Sequence, residues 1–90
     1  MRISAVQKDT LFLLYAFELK QHAVVRQTVL FKIIRKQVRD VFPNNYSTSC
    51  RTLAANGLVM LERDGSQRLW LSLTEAGRNH AKVIYESREN

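Results

Sequence analysis

The stretch from residue 44 to residue 74 constrains the fold most, because it predicts a helix, a stop and a hairpin in immediate succession. Apolar residues recur there at the spacing of one helical face, namely Tyr46, Cys50, Leu53 and Ala54. Either Asn44 or Asn45 can cap this helix, since a short polar side chain accepts a hydrogen bond from the first turn. Gly57 ends it, because glycine adopts the left-handed conformation without strain. We predict a helix over about residues 45–56.

Two strands are predicted after Gly57, over about residues 58–73. Residues 58–63 and 68–73 are strand-like, and Asp64-Gly65-Ser66-Gln67 between them is typical of a hairpin turn. In the second strand the leucines alternate with Arg68, Trp70 and Ser72, so the leucines are expected in the core and Trp70 on the opposite face. Four roles for Trp70 stay open: covering the first helix, meeting a second subunit, shielding the hairpin from solvent, or stacking on a base.

This order of elements, with NGLVMLERDGSQRLWLSLTEAGR as its most specific segment, resembles the winged helix-turn-helix domain of small bacterial and phage transcriptional regulators, including the MarR and PadR types. The resemblance covers most of the chain. It implies an α+β fold, mainly α with a small β-hairpin, in the order helix-helix-helix-strand-strand-helix. In such families the helix before the glycine is the recognition helix, the hairpin is the wing, and a Leu-Thr-x-x-Gly turn, here Leu73–Gly77, opens a C-terminal helix.

The remaining helices are predicted from their boundaries, within a single domain over residues 1–90. Ser4 and Gln7 form a capping box before a first helix of about residues 5–21. Residues 22–25 read as a connector or a short edge strand. An apolar stripe predicts a second helix over about residues 28–41, which Pro43 stops, with Phe42 expected to fill the angle before the next helix. A last helix of about residues 75–87 begins after Thr74 as its N-cap.

The first helix carries apolar residues on more than one stripe. Two interpretations stay open. The helix is either central and surrounded by the other elements, or part of it meets a second subunit. Together with Ala81, Ile84 and Tyr85 of the last helix, it is the predicted surface for a homodimer.

The charge of the chain favours a polyanionic partner. Fourteen Lys and Arg against eight Asp and Glu give a net charge of +6 and a pI of about 10.0. Between Leu19 and Arg39 there is no acidic residue, but there are six cations: Lys20, Arg26, Lys32, Arg35, Lys36 and Arg39. This run is either a solvated helix face or a set of phosphate contacts, since the helix before a recognition helix crosses the DNA backbone.

The candidate DNA contacts come from three elements. The outward face of the third helix has small or hydrogen-bonding side chains suited to base edges and phosphates. In the resembling families the wing reaches the minor groove or the backbone; the alternative is that its arginines only protect an exposed sheet edge. The predicted contacts are Asn44, Asn45, Ser47, Thr48, Arg51 and Thr52 in the third helix, Arg35 and Lys36 in the second helix, and Arg63, Gln67 and Arg68 in the wing.

Other chemistry finds little support in the sequence. One cysteine excludes an internal disulfide, and Cys50 lies on the inner helix face, where packing is the expected role. His22 and His80 have no partner at metal-binding spacing. The longest apolar cluster, residues 11–17, is too short to cross a bilayer. We expect no enzyme activity, cofactor, metal, membrane association or evident small-molecule ligand, and a cytoplasmic protein that joins the nucleoid when bound to DNA.

These observations predict sequence-specific binding of double-stranded DNA by a small transcriptional regulator, acting as a homodimer on half-sites about 10 base pairs apart. Two alternatives stay open. Winged helices also serve as protein-docking modules, and the same basic face would suit an RNA-binding or replication accessory protein.

Overall fold

The computed structural model describes residues 2–89, which form four helices and three strands. In chain order these are α1 (Ala5–Leu19), β1 (Val24–Arg26), α2 (Gln27–Gln37), α3 (Pro43–Ala55), β2 (Val59–Arg63), β3 (Leu69–Leu73) and α4 (Glu75–Glu89). The predicted capping box is present, because the Gln7 N–H donates to Ser4 Oγ and the Ser4 N–H donates to Gln7 Oε1. The predicted order of helices and hairpin is confirmed, and β1 occupies the segment predicted as a connector or edge strand.

The strands form one antiparallel sheet in the order β1-β3-β2. Val25 and Leu61 lie opposite Leu71 on its two sides, and this row faces inward. Leu71 and Leu73 are buried as predicted, while Leu69, at the start of β3, is half-buried. Alternation along β3 therefore places Trp70 on the outer face of the sheet.

α1 is the centre of the molecule, since it packs against each of the other helices as well as β1 and β3. Leu11 and Leu14 are fully or almost fully buried in the shared core. Thr10 is buried beside them; its hydroxyl donates to the Val6 carbonyl, so the Tyr46 hydroxyl, 3.0 Å away, donates to Thr10 Oγ1. This arrangement favours the first of the two interpretations of α1, a helix surrounded by the other elements.

The aromatic part of the predicted dimer surface packs inside the chain. The ring of Tyr85 in α4 lies 5.3 Å from Phe12 and 5.2 Å from Tyr15 in α1, between ring centroids. The large apolar side chains of these two helices that remain exposed are Leu19, at 53%, and Val83, at 67%.

The predicted end of the second helix at residue 41 is wrong, because α2 ends at Gln37. The N–H groups of Val38 and Arg39 both donate to the Ile34 carbonyl, which widens the last turn and unwinds the helix. The Arg39 guanidinium then reaches Asp9 of α1, with Nε 2.7 Å from Oδ2. Asp9 is 1% exposed and also accepts from Arg88 Nη2 at 3.0 Å. Arg39 and Asp9 are 30 residues apart in the chain, so the apolar stripe of the second helix could not predict their ion pair.

The predicted inward position of Phe42 is also wrong. Phe42 is 73% exposed, and Val41 is buried in its place. Residues 39–42 are outside any helix, and in extended chain successive side chains face opposite sides. Phe42 is the N-cap of α3 and makes no side-chain capping bond, while Pro43 takes the first helical position. Asn44 and Asn45 therefore lie in the first turn of α3, and neither is its N-cap.

The end of α3 and the start of α4 meet at one junction. Gly57 has φ +74°, as predicted for the residue that ends α3. The Thr74 hydroxyl donates to the Gly57 carbonyl at 2.6 Å and accepts from the Gly77 N–H at 3.0 Å, so Thr74 is the N-cap expected for α4. The Thr74 N–H donates to the Leu58 carbonyl. Both ends of the β2–β3 hairpin are thereby fixed to the same corner.

Candidate nucleic-acid interface

The outward face of α3 is built by helical periodicity, because Tyr46, Cys50 and Leu53 hold the opposite face in the core. The predicted contact residues exposed on this outward face are Asn44, Asn45, Thr48, Arg51 and Thr52. Ser47 departs from the prediction, since it is half-buried and its hydroxyl lies 3.4 Å from Nε2 of Gln27, a buried residue of α2.

The exposed threonines of α3 direct their hydroxyl groups to the helix itself. Thr48 Oγ1 donates to the Asn44 carbonyl at 3.1 Å, and Thr52 Oγ1 donates to the Thr48 carbonyl at 3.0 Å. Arg51 Nη2 donates to Thr48 Oγ1 at 3.3 Å. The guanidinium of Arg51 is therefore oriented along the helix, and its other N–H groups face solvent.

α2 brings three exposed cations to the start of α3. Lys32, Arg35 and Lys36 follow one another at i, i+3 and i+4, so they share one side of α2. They line an open groove of about 770 Å³ together with Phe31, Pro43 and one acidic residue, Asp40. The guanidinium carbon of Arg35 lies 5.8 Å from the centroid of the Phe31 ring.

This groove places Arg35 and Lys36 beside Pro43, the first residue of α3, and their contact with DNA stays a prediction. The prediction omitted Lys32, although its helical spacing from Arg35 and Lys36 was a usable signal. The six-cation run is not one surface, however. Arg39 is engaged by Asp9, and Arg26 is half-buried in β1.

The tip of the hairpin holds the predicted residues Arg63, Gln67 and Arg68, all exposed. Arg63 Nη1 donates to the Gln67 carbonyl at 3.2 Å, and Arg68 Nε lies 3.2 Å from Asp64 Oδ2. Gln67 has φ +66°, which lets the chain reverse. These three side chains form a cluster of their own, separate from the groove beside α2.

Asp64 organises this tip, a role that the sequence analysis did not assign to it. Its carboxylate accepts the Ser66 and Arg68 N–H groups at 2.8 and 3.0 Å and the Trp70 indole Nε1 at 2.9 Å. The Trp70 hydrogen bond, then those from the backbone, lower the pKa of Asp64 to about 2. Trp70 is half-buried and packs at the hairpin, which agrees with the third of its candidate roles.

The remaining groups of residues 2–89 that could carry chemistry are a buried thiol and isolated metal-ligating side chains. Cys50 is fully buried, and burial raises the pKa of its thiol to about 11, so it is protonated at neutral pH. Over residues 2–89 no cluster of His, Cys, Asp or Glu is arranged to hold a metal ion. Within the same range no helix combines the length and apolar character that crossing a bilayer requires.

No protein-family model and no curated protein sequence matches this chain. Solved structures do. MepR, a transcription regulator of the Staphylococcus aureus multidrug efflux pump MepA, is 23% identical over 97% of this chain, with a TM-score of 0.72. F-93 of SSV1 is 17% identical over 99% of the chain, with a TM-score of 0.75. YusO from Bacillus subtilis is 17% identical over 97% of the chain, with a TM-score of 0.68.

The chain has a winged-helix fold. It spans 87% of F-93 but less than two thirds of the other two proteins, 61% of MepR and 56% of YusO. In this winged helix, α3 directly precedes the hairpin of β2 and β3, which is the wing. The predicted fold is thereby confirmed.

Proposed function

We propose that this winged helix binds double-stranded DNA sequence-specifically and acts as a small transcriptional regulator in the cytoplasm, on nucleoid DNA. The observation that carries the proposal is the exposed face of α3, which includes Arg51, beside a groove of α2 that three cations and one acidic residue, Asp40, line. A helix of this diameter fits the major groove, where base edges are distinguishable. The likeness to MepR, a transcription regulator, supports the same function.

The three sets of residues have different roles in this proposal. Lys32, Arg35 and Lys36 contact phosphates and place the domain on the duplex, while Arg51 reads a base edge in the major groove. The wing residues Arg63, Gln67 and Arg68 meet the neighbouring backbone or minor groove. An acidic residue offsets part of the charge at each place, Asp64 in the wing and Asp40 in the groove of α2, where three cations remain.

We further propose a homodimer through α1 and α4, with contacts limited to the surface that the Phe12–Tyr85 packing leaves open. Two recognition helices related by a two-fold axis would meet half-sites about 10 base pairs apart. Light scattering is expected to give twice the chain mass of 10.5 kDa. A mass of one chain, both free and on a selected duplex, would refute the dimer without affecting DNA binding by the monomer.

The test of the function is a mobility shift with duplex DNA, single-stranded DNA and RNA of equal length, followed by selection of bound duplexes from a random pool. Preference for duplex and recovery of a common motif are expected. Tighter binding of RNA or of a single strand would support the RNA-binding or replication accessory function instead. Absence of binding to every nucleic acid would favour protein docking, for which the exposed Phe42 beside the α2–α3 turn is a candidate contact.

A further inference from the structure

The exposed threonines of α3 present methyl groups more than hydroxyl groups. The hydroxyl protons of Thr48 and Thr52 are donated to carbonyls one turn earlier, and Thr48 Oγ1 already accepts from Arg51. A threonine whose hydroxyl bonds back to its own helix has one other group on its β carbon, the Cγ2 methyl. On this part of α3, Arg51 is therefore the donor available for base edges, and it lies next to the face that carries the two methyl groups.

The major groove offers a partner for such methyl groups. Thymine is the base that carries a methyl group there, at C5, and threonine methyls make apolar contact with it. From these contacts we propose that α3 selects thymines through the methyl groups of Thr48 and Thr52, next to the base or phosphate met by Arg51. The inference rests on the proposed function and names the class of sequence that the site takes.

The spacing of the two threonines limits the distance between the two thymines that they can contact. They are one helical turn apart, which is a rise of about 6 Å. Successive bases of a strand are about 3.4 Å apart along the duplex. Two methyl groups on a helix that follows the groove therefore meet thymines about two base-pair steps apart, on one strand or across the pair.

Uracil tests this proposal, because it pairs like thymine and lacks only the C5 methyl group. The probe is the duplex recovered from the random pool, with each thymine of a half-site replaced by uracil in turn. At the two thymines beneath Thr48 and Thr52 we expect the dissociation constant to rise about fourfold, the equivalent of about 0.8 kcal/mol for one buried methyl or methylene group. Thymines elsewhere in the probe are internal controls.

Two variants of Thr52 test whether the methyl group of this residue makes the contact with thymine. Thr52→Ser keeps the hydroxyl and removes the methyl group, whereas Thr52→Val keeps a methyl group and removes the hydroxyl. The quantity compared is the ratio of affinities for the thymine and uracil duplexes at one position. We expect a ratio of about four for the native chain and for Thr52→Val, and about one for Thr52→Ser.

Three results would overturn the inference. They are a recovered motif without thymines, equal affinity for all thymine and uracil duplexes, and a ratio that is retained in Thr52→Ser but lost in Thr52→Val. In each of these the chain still binds duplex DNA, so the proposed function survives. Failure to recover any bound duplex would instead refute the proposed function, and this inference with it.

Discussion

Asp64 is a carboxylate set among the cations of the wing. It accepts two backbone N–H groups and the indole of Trp70, and it lies beside the Arg68 guanidinium. These contacts favour its ionised form, so the pKa of Asp64 is about 2 against an ordinary value of 3.8. The conformation of the wing tip therefore depends on a carboxylate, although its other charged side chains are cations.

We expect Asp64→Asn to unfold at a lower urea concentration than the native chain at pH 7. Asparagine has one acceptor oxygen, so it cannot satisfy both backbone N–H groups and the Trp70 indole. Because the folded-state pKa is lowered, the stabilisation from Asp64 is fully present above about pH 4 and is lost as the pH falls towards about 2. The difference between the two proteins should therefore shrink over that interval.

Fluorescence of Trp70, the one tryptophan of the chain, follows this unfolding in urea at each pH. Glu62→Gln is the matched control, because it also removes an acidic charge from the hairpin and Glu62 forms no ion pair within residues 2–89. A difference from the native chain that stays constant from pH 7 to pH 2 would contradict the assigned role of the ionised carboxylate.

At the scale of the elements, the backbone of α4 at Gly77 packs directly against the backbone of Leu58. A Cβ atom placed on Gly77 would lie 1.7 Å from the Leu58 carbonyl oxygen and 2.7 Å from the carbonyl carbon. Both are backbone atoms, held by the Thr74 N–H and by β2, so they cannot turn aside. The glycine of the Leu-Thr-x-x-Gly turn is thus required by packing; its φ is not in the left-handed region.

We expect Gly77→Ala to lower the free energy of unfolding by about 3 kcal/mol, because α4 must move away from β2 to admit the methyl group. Gly65→Ala is the control, since a Cβ atom at Gly65 meets no atom within 4 Å. Circular dichroism during thermal unfolding measures both variants. Equal melting temperatures for the two alanine variants would show that the junction is softer than the structure indicates.

Elements marked by local signals were predictable from the sequence. Ser4, Gly57 and the Asp64–Gly65 turn each fix a boundary through their own backbone neighbours, and these boundaries were placed within about two residues. The end of α2 was missed, because it depends on the contact between Arg39 and the distant Asp9. Sequence periodicity extends a helix as long as apolar residues continue, and Val38 and Val41 continued it.

The candidate site was predictable to a similar degree. The outward face of α3 followed from helical periodicity, so the exposure of Thr48, Arg51 and Thr52 was foreseen. The half-burial of Ser47 was not, since it is caused by Gln27 of another helix. The direction of the threonine hydroxyls also lay beyond the sequence, because a rotamer is chosen by its surroundings.

For the molecule as a whole, the distribution of charge matters more than the net value of +6. Several arginines are paired internally: Arg39 and Arg88 with Asp9, Arg78 with Glu18, and Arg68 with Asp64. The exposed cations of α2, Lys32, Arg35 and Lys36, are in none of these ion pairs, which cover residues 2–89. Over residues 2–89, four cations outside these ion pairs, Lys32, Arg35, Lys36 and Arg51, therefore lie on α2 and α3, and the other unpaired cations are spread over the remaining elements.

We expect Lys36→Ala to reduce the slope of log affinity against log salt concentration by about 0.9, because one phosphate contact and its released counterion are lost. The loss of affinity should be similar across duplex sequences, as phosphates carry no base information. Lys82→Ala is the matched control, since it removes the same charge from an exposed position of α4. Titrations at several salt concentrations measure both. If the two variants have equal slopes of log affinity against log salt concentration, Lys36 does not contact a phosphate and the duplex does not bind at α2.

The Thr74 hydroxyl, which joins Gly57 to Gly77, leaves the wing tethered at its base and free at its tip. Residues added after Ser66 would lengthen the wing at its tip, where they would replace the hydrogen bond from the Arg68 N–H to Asp64, and would leave the Thr74 junction in place. Under the proposed function, variants that differ only at this tip would cover footprints of different size on a duplex while α3 keeps the same face.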